Sequence, residues 1–202
     1  MHHVGKPVPL FAFAFLDCEF GGLDPELHDI TEIGVVTTDY RLRELSEGEW
    51  KVRPRPERVS KEAAQIFGYD AEVWARAPGV RQVLTELSDM LPTNCTVVPA
   101  GQNVRMDVNF LERAYKKCDL PYPFDYHVID LATLYYAWSL VAGETVSALS
   151  LRQSATTAGL LDESGVAHRA LADARLTLET FRHLIGRLAP REPAEPIQDP
   201  EG

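Results

Sequence analysis

The hydrophobic pattern of the chain is dominated by one run near its N-terminus. Residues Leu10 to Glu19 read LFAFAFLDCE, which is apolar on both faces until two acids, Asp17 and Glu19, end the run. Because alternate side chains of a strand share a face, the two carboxylates should lie side by side. A run apolar on both faces is typical of a central, buried strand. Two adjacent carboxylates would repel each other there, and a divalent cation between them is the simplest remedy.

Further strands follow in two groups. Ile30–Thr38 and Glu44–Val52 come soon after the first strand, and this close spacing favours an antiparallel meander. Cys95–Ala100 and His127–Ile129 are separated by helical patterns, which favour parallel pairing. The pattern therefore predicts an α/β fold with a mixed sheet.

Helical spacing of apolar residues predicts the remaining elements. The predicted helices are Ser60–Phe67, a helix containing Val80, Val83, Leu84, Leu87 and Leu91, Arg105–Lys117, a helix capped by Asp130 and ending near Val141, Ser147–Ala158, and His168–Leu188. The last helix is predicted to bury one stripe, formed by Leu171, Ala174, Leu178, Phe181, Ile185 and Leu188.

Length and composition indicate one soluble domain over residues 10–188, because no shift of composition interrupts them. Residues 1–9 are expected to be a flexible leader. Residues 189–202 contain four acids, one base and several prolines, and are expected to be a disordered acidic tail. No stretch is expected to enter a membrane, since the apolar run before Asp17 is short and has no small-residue cleavage site.

The cysteines and the net charge exclude several classes of protein. Cys18, Cys95 and Cys118 form no C-x-x-C pair, which argues against a disulfide framework and a zinc site and favours reduced thiols in the cytoplasm. The formal charge of −10 at pH 7 argues against broad, non-specific binding to a polyanion. A nucleic-acid partner would have to be held locally, with metal ions supplying positive charge.

Three more residues carry candidate chemistry. Asp107 shares a helical face with apolar residues, and it is either a first-turn acid that exploits the helix dipole or a third metal ligand beside Asp17 and Glu19. His168 and Asp173 bracket the start of the last helix in the stretch HRALADA. Each alone would be an ordinary polar surface residue, but together with the other acids they suggest one cleft.

With these residues in place, the chain resembles the DEDDh group of 3′-to-5′ exonucleases, which includes proofreading exonucleases, RNase T and oligoribonuclease. The resemblance covers roughly residues 10–188. Its three motifs are FLDCEFGGLDPELHDITEIG, AGQNVRMDVNFL and HRALADA, in the family's order and at its usual separations. The resemblance assigns the four acids to Asp17, Glu19, Asp107 and Asp173, and the histidine to His168.

The resemblance implies a ribonuclease-H-like fold, with a five-stranded mixed sheet flanked by helices. It implies that the four acids hold two divalent ions, Mg²⁺ or Mn²⁺, for an in-line phosphoryl displacement. His168, whose ordinary pKa lies near neutrality, is suited to accept the proton of the attacking water. The implied partner is single-stranded nucleic acid with a free 3′ end, and some members of the family form homodimers.

The loop after Glu19 is the candidate for reading the 3′ end. Gly21 and Gly22 let the backbone approach a terminal hydroxyl, and Phe20 or Leu23 offers an apolar surface to the last base. The alternative is that Phe20 packs into the core. Asn103 of the second motif is assigned to substrate binding on the resemblance alone. Phe20, Gly21, Gln102 and Met106 depart from residues common in the family, which bears on substrate subtype and not on the metal ligands.

The basic stretch, Glu32 and the function itself each allow more than one interpretation. Lys51, Arg53, Arg55, Arg58 and Lys61 form a basic stretch. It either guides a phosphate backbone or, with the neighbouring prolines, protects a sheet edge, and the second interpretation is favoured. Glu32 is expected to be hydrogen-bonded and not metal-bound. The functional alternatives are a catalytically silent nuclease-fold subunit that binds nucleic acid, and a phosphodiesterase of very short oligonucleotides.

Overall fold

A five-stranded mixed sheet forms the centre of the computed structural model, which describes residues 11–66, 68–161 and 169–188. The strands are β1 (Phe11–Phe20), β2 (Ile30–Asp39), β3 (Glu44–Lys51), β4 (Thr96–Gly101) and β5 (Ile129–Asp130). Their order across the sheet is β3-β2-β1-β4-β5. The first three strands pair antiparallel, whereas β4 pairs parallel to β1 and β5 parallel to β4. The predicted mixed sheet with β1 at its centre is confirmed.

Helices cover both faces of the sheet. They are α1 (Lys61–Ile66), α2 (Ala71–Ala75), α3 (Val80–Met90), α4 (Arg105–Lys117), α5 (Leu131–Ala142), α6 (Leu151–Ala158) and α7 (Ala170–Leu188), and a 3-10 turn spans Pro56–Arg58. The bounds of α4 are those predicted. Asp130 caps α5 as predicted, because its carboxylate accepts a hydrogen bond of 2.8 Å from the Ala132 N–H.

Alternation along β1 divides the core into two layers. Leu16 belongs to the cluster that contains Leu84 of α3 and Leu111 of α4. Its neighbour Phe15 belongs to the opposite cluster, with Leu178 of α7. Side chains two residues apart share a face, so Asp17 lies on the α7 side of the sheet with Phe15.

The buried face of α7 differs from the predicted stripe. Ile185 is 42% exposed, whereas Leu184 is fully buried. The reason is that the second half of α7 packs against α5, where Leu184 joins Leu131, Tyr135 and Trp138. The face that is buried therefore changes along the helix when the neighbour changes from sheet to helix.

Three smaller differences concern the ends of two elements and one helix that was not predicted. The helix predicted from Ser147 begins at Leu151, because the side chain of Ser150 caps it by accepting a hydrogen bond from Gln153 N–H. The last strand is Ile129–Asp130 and not His127–Ile129. The short helix α2 was not predicted, although Asp70 caps it through the N–H groups of its first turn.

Some predictions fall on parts of the chain outside the described residues. These parts include the leader 1–9, the tail 189–202, the end of the first predicted helix at Phe67, and His168. The domain limits 10–188 consequently stay a prediction. Among the helices that are described, none combines the length and apolar character needed to cross a membrane.

Candidate active site

The first two acids project from the end of β1, where its pairing with β4 has stopped. The parallel pairing with β4 runs from Phe11 to Phe15, so Asp17 and Glu19 lie beyond it. On the other side they face β2, where Asp17 is opposite Gly34 and Glu19 is opposite Glu32. The register shifts between Glu19 and Phe20, and this irregularity ends the strand. The carboxylates are thus held by β2 on one side and open on the other.

Asp107 reaches β1 from the first turn of α4. Its Oδ1 accepts a hydrogen bond of 2.9 Å from the backbone N–H of Cys18, the residue between the two β1 acids. Asp107 is 5% exposed. Gly101, at the end of β4, lies so close to β1 that a Cβ there would be 2.7 Å from the Leu16 carbonyl oxygen. Glycine therefore lets the chain that leads into α4 approach β1. The structure therefore places Asp107 beside the two β1 acids and also in the first helical turn.

Asp173 is supplied by the first turn of α7, which packs directly on β2. A Cβ on Gly34 would lie 2.1 Å from the backbone nitrogen of Leu171, so only glycine allows this approach. Gly34 is the residue opposite Asp17. Because Gly34 has no side chain, α7 can contact the sheet directly, and this contact brings Asp173 close to Asp17.

Glu32 anchors the start of α7 and is 3% exposed. Its carboxylate accepts hydrogen bonds from the Ala170 N–H at 3.2 Å and from Arg169 Nε at 3.4 Å. It also forms an ion pair of 2.9 Å with Lys51 Nζ. Its expected hydrogen-bonded role is confirmed by these contacts. Sequence reasoning did not connect Glu32 to the last helix, because Arg169 and Ala170 lie more than a hundred positions away.

Carboxylate oxygens of Asp17, Glu19 and Asp173 all lie within 4.8 Å of one another. An all-oxygen set at this separation suits a hard divalent cation such as Mg²⁺ or Mn²⁺. Asp107 lies near this group of oxygens, since charge repulsion from Asp107 raises the pKa of Asp17. The four acids predicted from the sequence are brought together, whereas His168 lies outside the described residues.

Burial and mutual repulsion disfavour ionisation of these acids. Burial, then the charge of Asp173, raises the pKa of Glu19 from 4.5 to about 7. Burial raises the pKa of Asp107 from 3.8 to about 8, although its hydrogen bonds from Cys18 act in the opposite direction. The pKa of Asp17 is raised well above its ordinary value by burial and then by Asp107 and Asp173. A cation bound among these carboxylates would favour their ionised forms, and its binding would release protons.

A cavity of about 530 Å³ adjoins Glu19, and we call it the loop cavity. It is lined by Glu19, Phe20, Gly22, Leu23, His28, Ser60, Glu62, Ala63, Ile66 and Met106. Three of the predicted loop residues thus lie next to Glu19, a candidate metal ligand. Sequence reasoning missed the contribution of α1 to this cavity. The structure reveals it through Ile66, an apolar side chain that is 61% exposed.

The other loop predictions receive mixed support. Phe20 stacks on Phe110 with ring centroids 4.0 Å apart, so it packs on the core and lines the loop cavity at once. Gly21 donates its N–H to the Asp29 carbonyl at 2.8 Å, which leaves that group unavailable for a terminal hydroxyl unless this bond breaks. Asn103 has a left-handed backbone (φ 53°) at the turn before α4.

The basic stretch is largely engaged within the protein. Its first part lies on β3, which is an edge strand of the sheet, as the favoured interpretation requires. Lys51 pairs with Glu32, and Arg55 makes two hydrogen bonds to the Asp29 carboxylate. Arg53 is exposed.

With the geometry in place, comparison with known proteins decides the family. The sequence pattern of the family RNase_T, described as Exonuclease, matches residues 14–181. The chain belongs to this exonuclease family. The predicted kinship with the DEDDh nucleases and the predicted ribonuclease-H-like fold are confirmed.

Curated relatives carry three kinds of name. Ribonuclease T of Buchnera aphidicola is 28% identical over 186 residues, covering 85% of this chain and 82% of the relative. Oligoribonuclease of Halorhodospira halophila is 29% identical over 185 residues, covering 84% and 90%. DNA polymerase III PolC-type of Thermotoga petrophila is 28% identical over 178 residues, but the chain spans only 12% of that protein.

Solved structures show the same fold at low sequence identity. The nuclease domain of 3′hExo, a DEDDh family member bound to rAMP, has a TM-score of 0.67 at 20% identity, covering 88% of this chain and 92% of that one. The complex of E. coli ExoI with single-stranded DNA in a zinc-bound form has a TM-score of 0.71 at 18% identity, covering 89% and 41%.

Proposed function

We propose that the chain is a 3′-to-5′ exonuclease that uses two divalent ions. It hydrolyses phosphodiester bonds from the 3′ end of single-stranded DNA or RNA and releases nucleoside 5′-monophosphates. The observation that carries this proposal is the convergence of Asp17, Glu19 and Asp173 within 4.8 Å, with Asp107 held against the same strand end. Family membership supports the class of reaction, and the names of the relatives support a nucleic-acid substrate.

The residues that would hold Mg²⁺ or Mn²⁺ are Asp17, Glu19, Asp107 and Asp173. The chemistry that such ions supply when bound is activation of a water molecule and neutralisation of charge on the phosphate. β1 and β2 fix two of the acids on a sheet, and Glu32 and Gly34 fix the helix that carries the third. Rigid placement of this kind is what positional catalysis requires.

His168 is the candidate general base in this proposal. It lies five residues before Asp173 in the chain and one before Arg169, whose side chain is bound to Glu32. Glu32 thereby fixes the residue that follows His168 in the sequence. A neutral imidazole there would take a proton from the attacking water.

The loop cavity is the candidate site for the terminal nucleotide. Phe20 and Leu23 offer it apolar surface, and Leu23 is 84% exposed. Stacking against such residues tolerates any base but requires an unpaired end. This arrangement favours single strands and stepwise digestion.

The decisive experiment is digestion of an oligonucleotide labelled at its 5′ end, with a free or a phosphate-blocked 3′ terminus. We expect a ladder that shortens from the free 3′ end, requires Mg²⁺ or Mn²⁺, and stops in excess chelator. Asp17→Asn should abolish the ladder, and the exposed Asp89→Asn on α3 is the matched control that should not. Interior cuts, equal digestion of blocked ends, or full activity in Asp17→Asn would each contradict the proposal.

A second candidate is a phosphodiesterase specialised for very short oligonucleotides, favoured by the relatives named oligoribonuclease. Comparing turnover on two-nucleotide and longer strands separates the two, because a specialised enzyme would lose its rate as the strand lengthens. A silent binding subunit would bind strands and release no mononucleotide.

Two further proposals accompany the function. The free, buried thiols of Cys18 and Cys118 suit a cytoplasmic location. A homodimer is proposed on the family resemblance, and sedimentation of the purified protein tests it.

A further inference from the structure

A second cavity, of about 540 Å³, shares His28 with the loop cavity and contains none of the four acids. Four cationic side chains line it: Arg53, Arg55, Arg113 and Lys117. Asp29 is the one carboxylate among the described residues that line it. We call this site the basic cavity. Its positive lining is unexpected in a chain whose formal charge is −10.

Two of these cations are not neutralised by the protein. Asp29 is taken by Arg55, which approaches it at 2.7 and 2.9 Å, and Arg113 pairs with Glu26. Across the described residues, Arg53 has no carboxylate partner, and Lys117 Nζ donates only to the Pro25 carbonyl, at 3.5 Å. The basic cavity therefore carries uncompensated positive charge.

Two observations indicate that this charge lacks a ligand. The pKa of Lys117 is lowered by burial and then by the neighbouring charges of Arg58 and Arg113. Arg113 Nε is buried and has no hydrogen-bond partner among the described residues. An anion in the cavity would relieve the repulsion and could accept that hydrogen bond.

The rest of the lining selects the kind of anion. Ile30, Val52 and Val80 add apolar surface to the lining, which an inorganic ion would not use. A lining with both cations and apolar side chains suits a ligand that has both a phosphate and a flat, weakly polar part. We infer that the basic cavity binds a nucleotide unit, with its phosphate held by Arg53 and Lys117 and its base or sugar against these apolar side chains.

The position of the basic cavity suggests where the nucleotide comes from. Phe110 lines it and stacks on Phe20, which lines the loop cavity. The two cavities are thus neighbours across one aromatic pair, and a strand whose 3′ end occupies the loop cavity can continue into the basic cavity. The other source is a free nucleotide. The inference rests on the proposed function only where the strand is the source.

The test compares two double variants. Arg53→Gln with Lys117→Gln removes the unpaired cations, and Arg76→Gln with Lys116→Gln removes two exposed cations that do not line the cavity. Binding of a fluorescent twelve-nucleotide single strand is measured by anisotropy in excess chelator, and binding of ADP by calorimetry. Turnover is then measured on two-nucleotide and twelve-nucleotide substrates with Mg²⁺. Because binding is measured without turnover, an inactive wild-type protein would refute the proposed function and leave the two binding measurements to decide this inference.

With the strand as source, the cavity variant should bind the long strand roughly tenfold more weakly. The slope of its log affinity against log salt should fall by about 1.4, which is 0.7 for each lost phosphate contact. KM should rise for the twelve-nucleotide substrate and stay unchanged for the two-nucleotide one. With a free nucleotide as source, strand binding stays unchanged and ADP binding to the wild type is lost in the cavity variant.

The inference is overturned if the cavity variant binds both the strand and ADP as the wild type does, or if the control variant loses as much affinity. It is also overturned if KM rises equally for short and long substrates, because the change would then act at the 3′ end. If either double variant unfolds, as judged by thermal denaturation, each single variant is measured in its place with the same criteria.

Discussion

Gly34→Ala should impair activity in a protein that stays folded, because the added methyl group pushes on the helix that carries Asp173. The added Cβ would lie 2.1 Å from the Leu171 nitrogen, whereas ordinary contact begins at 3.4 Å. The start of α7 would have to move by the difference, about 1.3 Å. The obstructing atoms belong to the backbone of Ala170 and Leu171, so no side chain can turn away to make room.

A displacement of about 1 Å in a catalytic group costs on the order of a hundredfold in rate. We therefore expect Gly34→Ala to lower turnover by roughly a hundredfold at saturating Mg²⁺. Overpacking of this kind costs about 1–3 kcal/mol of unfolding free energy, which a domain of this size should survive. Initial rates on a 5′-labelled strand and denaturant unfolding of the same preparation measure the two quantities.

Gly186→Ala is the matched control on the same helix. A Cβ there meets nothing within 4 Å, and alanine in a helix is more stable than glycine by about 0.5–1 kcal/mol. Gly186→Ala should raise stability and leave turnover unchanged. Adding it to Gly34→Ala should recover about 0.5–1 kcal/mol of the lost stability and none of the lost activity. Wild-type turnover in Gly34→Ala, or activity that returns with stability in the double variant, would refute the reasoning.

The other predictions concern charge, the base and the loop. Raised pKa values, about 7 for Glu19 and about 8 for Asp107, mean that both acids stabilise the metal-free fold while protonated. Thermal stability in chelator should therefore fall as pH rises from about 5 to 8, saturating Mn²⁺ should abolish the fall, and a flat profile in chelator would contradict the assignment. His168→Ala should lower turnover by about two to four powers of ten with little change in metal affinity, and should remove the decline in rate at low pH; an unchanged pH profile would exclude it as the base. Phe20→Ala should weaken 3′-end selection and also destabilise the fold by up to about 5 kcal/mol, since its ring stacks on Phe110. Loss of stability with an intact preference for free 3′ ends would mean that Phe20 only packs on the core.

Much of the central architecture is predictable because local rules agree there. β1 is apolar on both faces and ends in acids, and its place at the centre of the sheet follows from that pattern. α4 shows a clear helical period from Arg105 to Lys117, so even its bounds are predicted. Asp130 and the helix that it caps follow from a local hydrogen bond.

Elements fail to be predicted where the deciding contact is distant or the segment is short. α2 has five residues, too few to display a period, and it is fixed by Trp74, whose indole N–H donates to the Thr31 carbonyl 43 positions away. The exchange of Ile185 for Leu184 on the buried face of α7 depends on where α5 packs. Neither contact leaves a periodic trace in the sequence.

The residues of the candidate site also fall into those that the sequence reveals and those that it does not. Asp17, Glu19 and Asp107 stand out because apolar surroundings make each an exception to the local pattern, and such exceptions are expected at functional positions. Asp173 is recognised only together with the other acids and the HRALADA motif. Gly34 and Glu32 hold the helix of Asp173 in place, yet as a glycine and an acid within a predicted strand they do not show which element they contact. Their roles depend on α7, which begins more than a hundred residues later.

Electrostatics links the acid site to the rest of the surface. Two unit charges 4 Å apart interact by about 4 kcal/mol at an effective dielectric constant of 20, so the four clustered acids cannot all ionise without divalent ions, and each one that does repels an approaching phosphate. In the proposed function, the metal-free site therefore does not hold the 3′ end of a strand. Positive charge at Arg53 and Lys117 lies outside the acid cluster and needs no metal to act. Strand binding that survives chelation must then come from cations of this kind, whereas placement of the 3′ end must depend on the metal, and these two contributions can be measured separately on one protein.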